Sequence, residues 1–284
     1  IIDAVRTPIG KLGGILSTIR TDDLAAHVLK SLINKYDIDP SHFDDVILGC
    51  ANQAGEDNRN VARMALLLAK IPFTVPGETV NRLCASGMSA VIHAHRAIQS
   101  GDGELFIAGG VENMTRGPWI ISKASTPFGR DSKMEDSSFG WRFINPKLEE
   151  IYGTESMGVT AENLAEKYNI SRSDQDVFSY HSQKKAAIAQ NKGIFKSEIT
   201  AINIPQKKSE PFLFSEDEFL KPYTAIDDLK NLNPAFKKNG SVTAGNSSGL
   251  NDGAASILIS SEKGVLSHNL NPIAKIVSSA VVGV

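Results

Sequence analysis

Cysteine and histidine carry much of the nucleophilic and metal chemistry of proteins, and this chain uses both sparingly. Its 284 residues include two cysteines, Cys50 and Cys84, and six histidines. Cys84 lies in Asn81-Arg82-Leu83-Cys84-Ala85-Ser86-Gly87-Met88, between a predicted strand and a predicted helix. A cysteine at a helix N-terminus faces unpaired backbone N–H groups and the positive end of the helix dipole. Both favour the thiolate, which makes a nucleophile. The position equally suits a buried structural cysteine, because a free thiol packs like a small hydrophobe. Spacing alone leaves the two readings open. Cys50 follows an apolar run in Gly49-Cys50-Ala51 and reads as core. The histidines offer Cys84 no partner. His93 and His95 share the predicted helix but project about 200° apart. His27 reads as a boundary residue, and His42, His181 and His268 fall in polar contexts. No Cys/His cluster has zinc spacing, so no metal is expected.

The elements that would hold Cys84 are legible on either side of it. Thr21 and Asp22 open an amphipathic helix carrying Leu24, Ala25, Val28, Leu29, Leu32 and Ile33. Val46-Ile47-Leu48 suits a buried strand, Val61 to Lys70 a second helix, and Glu78-Thr79-Val80 a short strand before the cysteine. Ala85 to Gln99 is a third helix, rich in small residues and able to be buried on most sides. Leu105 to Ala108 is another buried strand, ended by Gly109-Gly110. Ala254 to Ser260 is a further one. Two glycine-rich segments, 108–115 and 244–253, read on their own as tight turns between buried elements. Neither has a P-loop or dinucleotide-binding pattern. Alternating strands and helices with continuous apolar strands give a layered α/β domain.

Composition changes near Pro118. From Trp119 to Phe236 lie both tryptophans, nine of twelve phenylalanines and four of five tyrosines, while 141–238 has only three glycines. Helices are predicted over Gly158–Tyr168 and Ser173–Gln190. Such a stretch reads as an inserted subdomain rather than more sheet. The charge balance, 30 basic against 32 acidic side chains, argues against a nucleic-acid binder. No apolar run reaches the ~18–20 residues that span a bilayer, so no membrane partner is expected. Two cysteines exclude a disulfide scaffold and favour a reducing, cytoplasmic setting.

Taken together, the motifs resemble the thiolase family. Asn81-Arg82-Leu83-Cys84-Ala85-Ser86-Gly87 is similar to its nucleophilic-cysteine motif. Gly109-Gly110-Val111-Glu112-Asn113-Met114-Thr115 is similar to its second signature, and Thr243 to Ala254 to its third. Asp3-Ala4-Val5-Arg6-Thr7-Pro8 resembles its opening. Four motifs in family order cover essentially the whole chain. The resemblance implies a three-layer α-β-α domain with a mixed five-stranded sheet over 1–118 and 250–270. It implies an α-rich loop subdomain over 119–249 that covers CoA and helps assemble a homodimer or homotetramer. It implies that Cys84 attacks a 3-oxoacyl-CoA. Carbon–carbon cleavage then leaves an acyl-cysteine and releases acetyl-CoA, and free CoA collects the acyl group; the reverse is a Claisen condensation. CoA and acyl-CoA are substrates, and no prosthetic group is required.

Matching positions carry the CoA contacts over as Leu148, Met157, Lys221, Asp228, Phe236, Ala244 and Ser248. Ordinary subdomain packing is the alternative for each, strongest for Leu148 and Phe236. Lys221 stands where many relatives place arginine, keeping the charge without the planar fork. Ser156 stands where acetoacetyl-CoA-forming relatives often carry histidine. With Gly140 to Pro146, that leans toward degradative 3-oxoacyl-CoA thiolases of fatty-acid or aromatic breakdown, the 3-oxoadipyl-CoA subtype among them. The family also supplies a Gly-His-Pro histidine and a second cysteine in Cys-x-Gly-Gly-Gly, and neither motif occurs in these residues. The chain starts inside a predicted strand and stops in an apolar run, and 271–284 resembles the first strand of a second half. The expectation is an N-terminal half plus loop subdomain that turns over poorly alone. Two rivals remain: a ketoacyl or hydroxymethylglutaryl-CoA synthase-like condensing enzyme, and a non-catalytic CoA-binding or scaffold fragment.

Overall fold

The computed structural model describes residues 1–207 and 209–283. Its strands are β1 (Asp3–Arg6), β2 (Gly10–Lys11), β3 (Asp45–Gly49), β4 (Gly77–Val80), β5 (Leu105–Asn113), β6 (Trp119–Ile121), β7 (Met134–Asp136), β8 (Ile202–Ile204), β9 (Phe212–Phe214) and β10 (Asn251–Ser260). Its α-helices are α1 (Thr21–Ile33), α2 (Val61–Leu68), α3 (Ser86–Ser100), α4 (Pro146–Tyr152), α5 (Met157–Tyr168), α6 (Arg172–Asn191), α7 (Ile226–Lys230) and α8 (Glu262–Ser267). The chain forms two compact units. A sheet unit comprises Ile1–Arg116, Lys196–Glu218 and the residues from Asn251 onward. A loop unit comprises Gly117–Phe195 and Phe219–Leu250.

The sheet runs β1-β10-β5-β3-β4, with β2 also beside β10. The pairs β3–β4 and β3–β5 are parallel, whereas β10 is antiparallel to β1, β2 and β5. Side chains alternate across a strand, and that alternation sorts the core into two layers. Val46, Leu48, Leu105, Ile107 and Leu258 face α1 and α2. Their neighbours Ile47, Phe106, Ala108 and Ile259 face α3. The apolar stripe of α1 is enclosed up to half-buried Ile33, with Leu24, Val28 and Leu29 at 0% exposure. Each such side chain contributes about 1.5–3 kcal/mol of burial. Asp22 and Asp23 in the first turn of α1 complement its dipole. Asn60 caps α2 by accepting the Arg63 N–H. The three-layer α-β-α architecture is as expected.

Four details differ from the sequence reading. The sheet has six strands among the described residues, because Gly10–Lys11 adds a short one beside β10. Gly109-Gly110 does not end β5; the strand continues to Asn113. A Cβ on Gly109 would lie 2.1 Å from the Ala255 carbonyl oxygen. These glycines are therefore there for close strand approach, not for a turn. Within 119–249, residues 196–218 belong to the sheet unit. There the β8–β9 hairpin buries Ile202, Ile204 and Phe214 in the larger core. Finally, 271–283 carries no strand. Its backbone finds Ile1, through Ile273 and Ala274, but no ladder partner among the described residues, and a strand needs one. Val284, the end of that expected strand, lies outside the described residues.

The loop unit contains the β6–β7 antiparallel ribbon and α4 to α7. The helices expected over 158–168 and 173–190 are α5 and α6. Asn169, in the left-handed conformation, closes α5, and Ser171 caps α6 through the Asp174 N–H. Among the described residues no helix is long and apolar enough to cross a membrane.

Candidate active site

Cys84 sits two residues before α3 and is exposed, whereas Cys50 is buried. The turn between β4 and α3 is held at several points. Asn81 Oδ1 accepts the Leu83 N–H at 2.9 Å, and Asn81 Nδ2 donates to the Ala51 carbonyl at 3.1 Å. Ser86 Oγ accepts the Arg82 N–H and donates to the Leu83 carbonyl. These bonds fix Leu83 at a φ of 50°, an uncommon conformation for a branched side chain. The result lifts Cys84 clear of the fold at the N-terminal end of α3.

Glycines bring that helix end down onto the sheet. A Cβ on Gly49 would lie 2.2 Å from the Ser86 carbonyl carbon and 2.4 Å from the Gly87 nitrogen. One on Gly110 would lie 2.9 Å from the Gly49 carbonyl oxygen. Only hydrogen fits at these positions. Gly49, Gly87 and Gly110, drawn from three segments, are one close-packed seat beneath the cysteine turn.

The remaining signature residues tie segments of the sheet unit together. Glu112 accepts the Ala51 and Asn52 N–H groups at 2.9 and 3.0 Å. Asp252 accepts the Thr115 N–H at 3.0 Å, which joins the second signature to the third. Arg6 donates to both carboxylate oxygens of Asp217, at 2.7 and 3.0 Å, and to Glu198 at 2.8 Å. Thr7 Oγ1 accepts the Ala254 N–H.

Cys50 reads differently from Cys84. Its Sγ lies 3.6 Å from Asp57, and Cys50, Asp57 and Glu112 converge closely enough to resemble a metal-ligand set. These groups already serve one another and the backbone. Burial, then the charges of Glu112 and Asp57, push the Cys50 thiol far above its ordinary range. The carboxylates already hold backbone donors, including the Gly55 N–H on Asp57. Among the described residues no hydrogen bond joins a histidine to Cys84; His93 lies 3.8 Å from Glu78.

In the loop unit, a cavity of about 170 Å³ is lined by Lys221, Asp228 and Ala244, three of the residues carried over as CoA contacts. The other four are not part of its lining. Leu148 is half-buried on α4, Met157 and Ser248 are exposed, and the Phe236 ring packs over Gly158. The cavity also recruits Gln183, Phe219 and Ser247, which the sequence reading missed. Gln183 Oε1 accepts the Lys221 N–H, and the Lys221 ammonium lies 5.4 Å from the Phe219 ring centre. A Cβ on Gly249 would strike that ring at 2.3 Å. The signal was available for Phe219: an aromatic two residues before a lysine, opposite a glycine of the third signature. Glu162, buried on α5, accepts the Ser241 and Val242 N–H groups and so fixes the start of the 241–248 loop.

A cysteine raised on a glycine seat at a helix start, in a mixed α-β-α sheet, defines a thiolase-type domain. Residues 1–263 match the thiolase N-terminal domain family, and the chain belongs to the thiolase family of acyltransferases. It is 50% identical, over its whole length and 71% of the relative's, to a beta-ketoadipyl-CoA thiolase of Acinetobacter baylyi. It is 51% identical, with the same coverage, to a 3-oxoadipyl-CoA/3-oxo-5,6-dehydrosuberyl-CoA thiolase of Escherichia coli. Among solved structures, the Bacillus anthracis acetyl-CoA acetyltransferase superposes with a TM-score of 0.86 at 38% identity, over 96% of this chain and 67% of that one. Human mitochondrial 3-ketoacyl-CoA thiolase in complex with CoA gives 0.84 at 35% identity, over 95% and 66%.

Proposed function

We propose that this chain carries the nucleophilic half of a thiolase acting on a 3-oxoacyl-CoA, with 3-oxoadipyl-CoA as the favoured substrate. The observation that carries this reading is the exposed Cys84 at the start of α3 on its glycine seat, in a chain half-identical to beta-ketoadipyl-CoA thiolases. The Cys84 thiolate adds to the 3-oxo carbonyl. The bond between carbons 2 and 3 then breaks, its electron pair leaves on the acetyl-CoA fragment as an enolate, and a proton quenches it. The acyl-cysteine is next attacked by the thiol of CoA, which restores Cys84. A thiolate suits both steps, being a strong nucleophile and a good leaving group. The Cys84 N–H, beside the positive end of α3, is a donor for the developing oxyanion. Lys221, with Asp228 and Ala244 in the loop-unit cavity, is the CoA-holding set; its ammonium pairs with phosphate as a point charge. Leu148, Met157, Phe236 and Ser248 complete the proposed CoA contacts.

A free nucleophilic thiol is preserved in a reducing compartment, which supports a cytoplasmic setting. The β6–β7 ribbon exposes Trp119 and Ile121 at 66% and 67%, which supports a homodimer or homotetramer. The acid–base groups that the family uses beside the nucleophile have no counterpart in these 284 residues. The chain alone is therefore expected to give no steady-state thiolysis of acetoacetyl-CoA or 3-oxoadipyl-CoA with CoA. Radiolabelled acyl-CoA should still leave up to one acyl group per chain. Sustained turnover, or no bound acyl group at all, would contradict this reading.

A further inference from the structure

One buried carboxylate of the loop unit has no part in the chemistry above. Asp176, on α6, is 1% exposed. Its two oxygens serve different partners. Oδ2 accepts the Arg172 Nε–H at 2.8 Å, and Oδ1 accepts from Asn246 Nδ2 at 3.0 Å. Each partner in turn holds one wall of the Lys221 cavity. Arg172 Nη2 donates to the carbonyls of Leu229 and Leu232 at 2.6 and 2.9 Å, capping the C-terminal end of α7. That helix carries Asp228 and Leu229 into the cavity lining. Asn246 Oδ1 accepts the Thr243 N–H at 2.7 Å, and its Nδ2 also donates to the Ser241 carbonyl. This closes the loop that presents Ala244 and Ser247 to the cavity. The two walls meet without slack: a Cβ on Gly245 would lie 2.4 Å from Leu232 and 2.7 Å from Leu229.

We propose that Asp176 is a positioning residue that sets both walls of the Lys221 cavity, through Arg172 on one side and Asn246 on the other, and so tunes affinity for CoA. The proposal rests on the reading of that cavity as the CoA site. A buried carboxylate shared by two donors ties their geometry together, because neither can move without leaving it unpaired. Asp176 touches no ligand in this scheme; it acts only through the two walls.

The test is calorimetric titration of CoA into the full chain, its D176N and R172K variants and an A165G control. Ala165 is buried on α5 and lines no part of the cavity, so A165G reports what lost stability alone does to binding. The expected result is CoA binding by the wild-type chain, weakened at least tenfold in D176N and about threefold or more in R172K. A165G should bind within twofold of wild type, even at an equal loss of Tm. Hydrogen exchange should quicken at both 226–232 and 243–248 in D176N. Wild-type binding with D176N and R172K within twofold overturns the positioning role and leaves the CoA reading standing. A wild-type chain that does not bind CoA overturns the CoA reading, and this proposal with it. Should D176N fail to fold, R172K decides by the same thresholds. Weakening in A165G equal to that in D176N also overturns the proposal.

Discussion

The cysteine turn and the Lys221 cavity are built on opposite principles. The turn is held mainly by neighbours in sequence. Asn81, Arg82, Leu83 and Ser86 bond among themselves within six residues, with one longer bond from Asn81 to Ala51, and the glycine seat supplies shape rather than charge. The cavity is held by buried carboxylates whose partners are distant. Glu162 reaches residues 79 and 80 positions away, and Asp176 reaches Asn246, 70 positions away. The proposed nucleophile thus sits on a largely local device, while the proposed CoA cavity has walls tied together over long range. Steric defects should therefore break the first, and charge or hydrogen-bond defects the second.

The largest effect is expected at the seat. G49A drives a methyl into the backbone of Ser86 and Gly87 and should cost at least ~3 kcal/mol or prevent folding, measured by urea denaturation. Next comes the loop unit. E162Q replaces a carboxylate that accepts the Ser241 and Val242 N–H groups and should cost about 2–3 kcal/mol. The loss should be seen as faster hydrogen exchange over 241–248 with the sheet unit unchanged. The same residue predicts an acid response. Burial alone would raise the Glu162 carboxyl, but hydrogen bonds from Ser241 and Val242 prevail and hold it below its ordinary 4.5. Its stabilisation is then complete above pH 4.5 and fades as pH falls below that value through the lowered folded-state pKa. Exchange over 241–248 should rise across that range in the wild type and much less in E162Q.

Smaller effects sharpen the contrast. N81A removes both the bond to Leu83 and the one to Ala51 and should cost about 1 kcal/mol. It should also change the rate of Cys84 alkylation under native conditions, since both bonds hold the turn that presents the thiol. Smallest of all, a Cβ on Gly87 would meet nothing closer than 3.7 Å. G87A should therefore stay within ~1 kcal/mol of wild type, since alanine also favours the helix. G87A as damaging as G49A would remove the steric account of the seat.

The same contrast explains what the sequence disclosed. Periodicity located α1, α2, α3, α5 and α6, and the cysteine turn was legible because most of its bonds are local. Gly109-Gly110 was misread as a turn because the strand that crowds it, β10, is some 140 residues away in sequence. The hairpin of 196–218 was assigned to the wrong unit because Phe212 and Phe214 share the aromatic composition of their surroundings. Asp176 was invisible for a different reason. With Arg172 it forms an i, i+4 pair on a polar helix, a pattern normally found in solvent, and only the fold shows it buried. Of the CoA contacts carried over by resemblance, Lys221, Asp228 and Ala244 share one cavity; the other four do not line it.

The central claim is that Cys84 is the acyl acceptor and Cys50 is packing. Peptide mass spectrometry after single-turnover exposure to a 3-oxoacyl-CoA tests it most directly. The expected outcome is an acyl group on the peptide bearing Cys84, absent from the Cys50 peptide and abolished in C84A. Acylation at Cys50, equal labelling in C84A, or an unmodified Cys84 with CoA bound would contradict it.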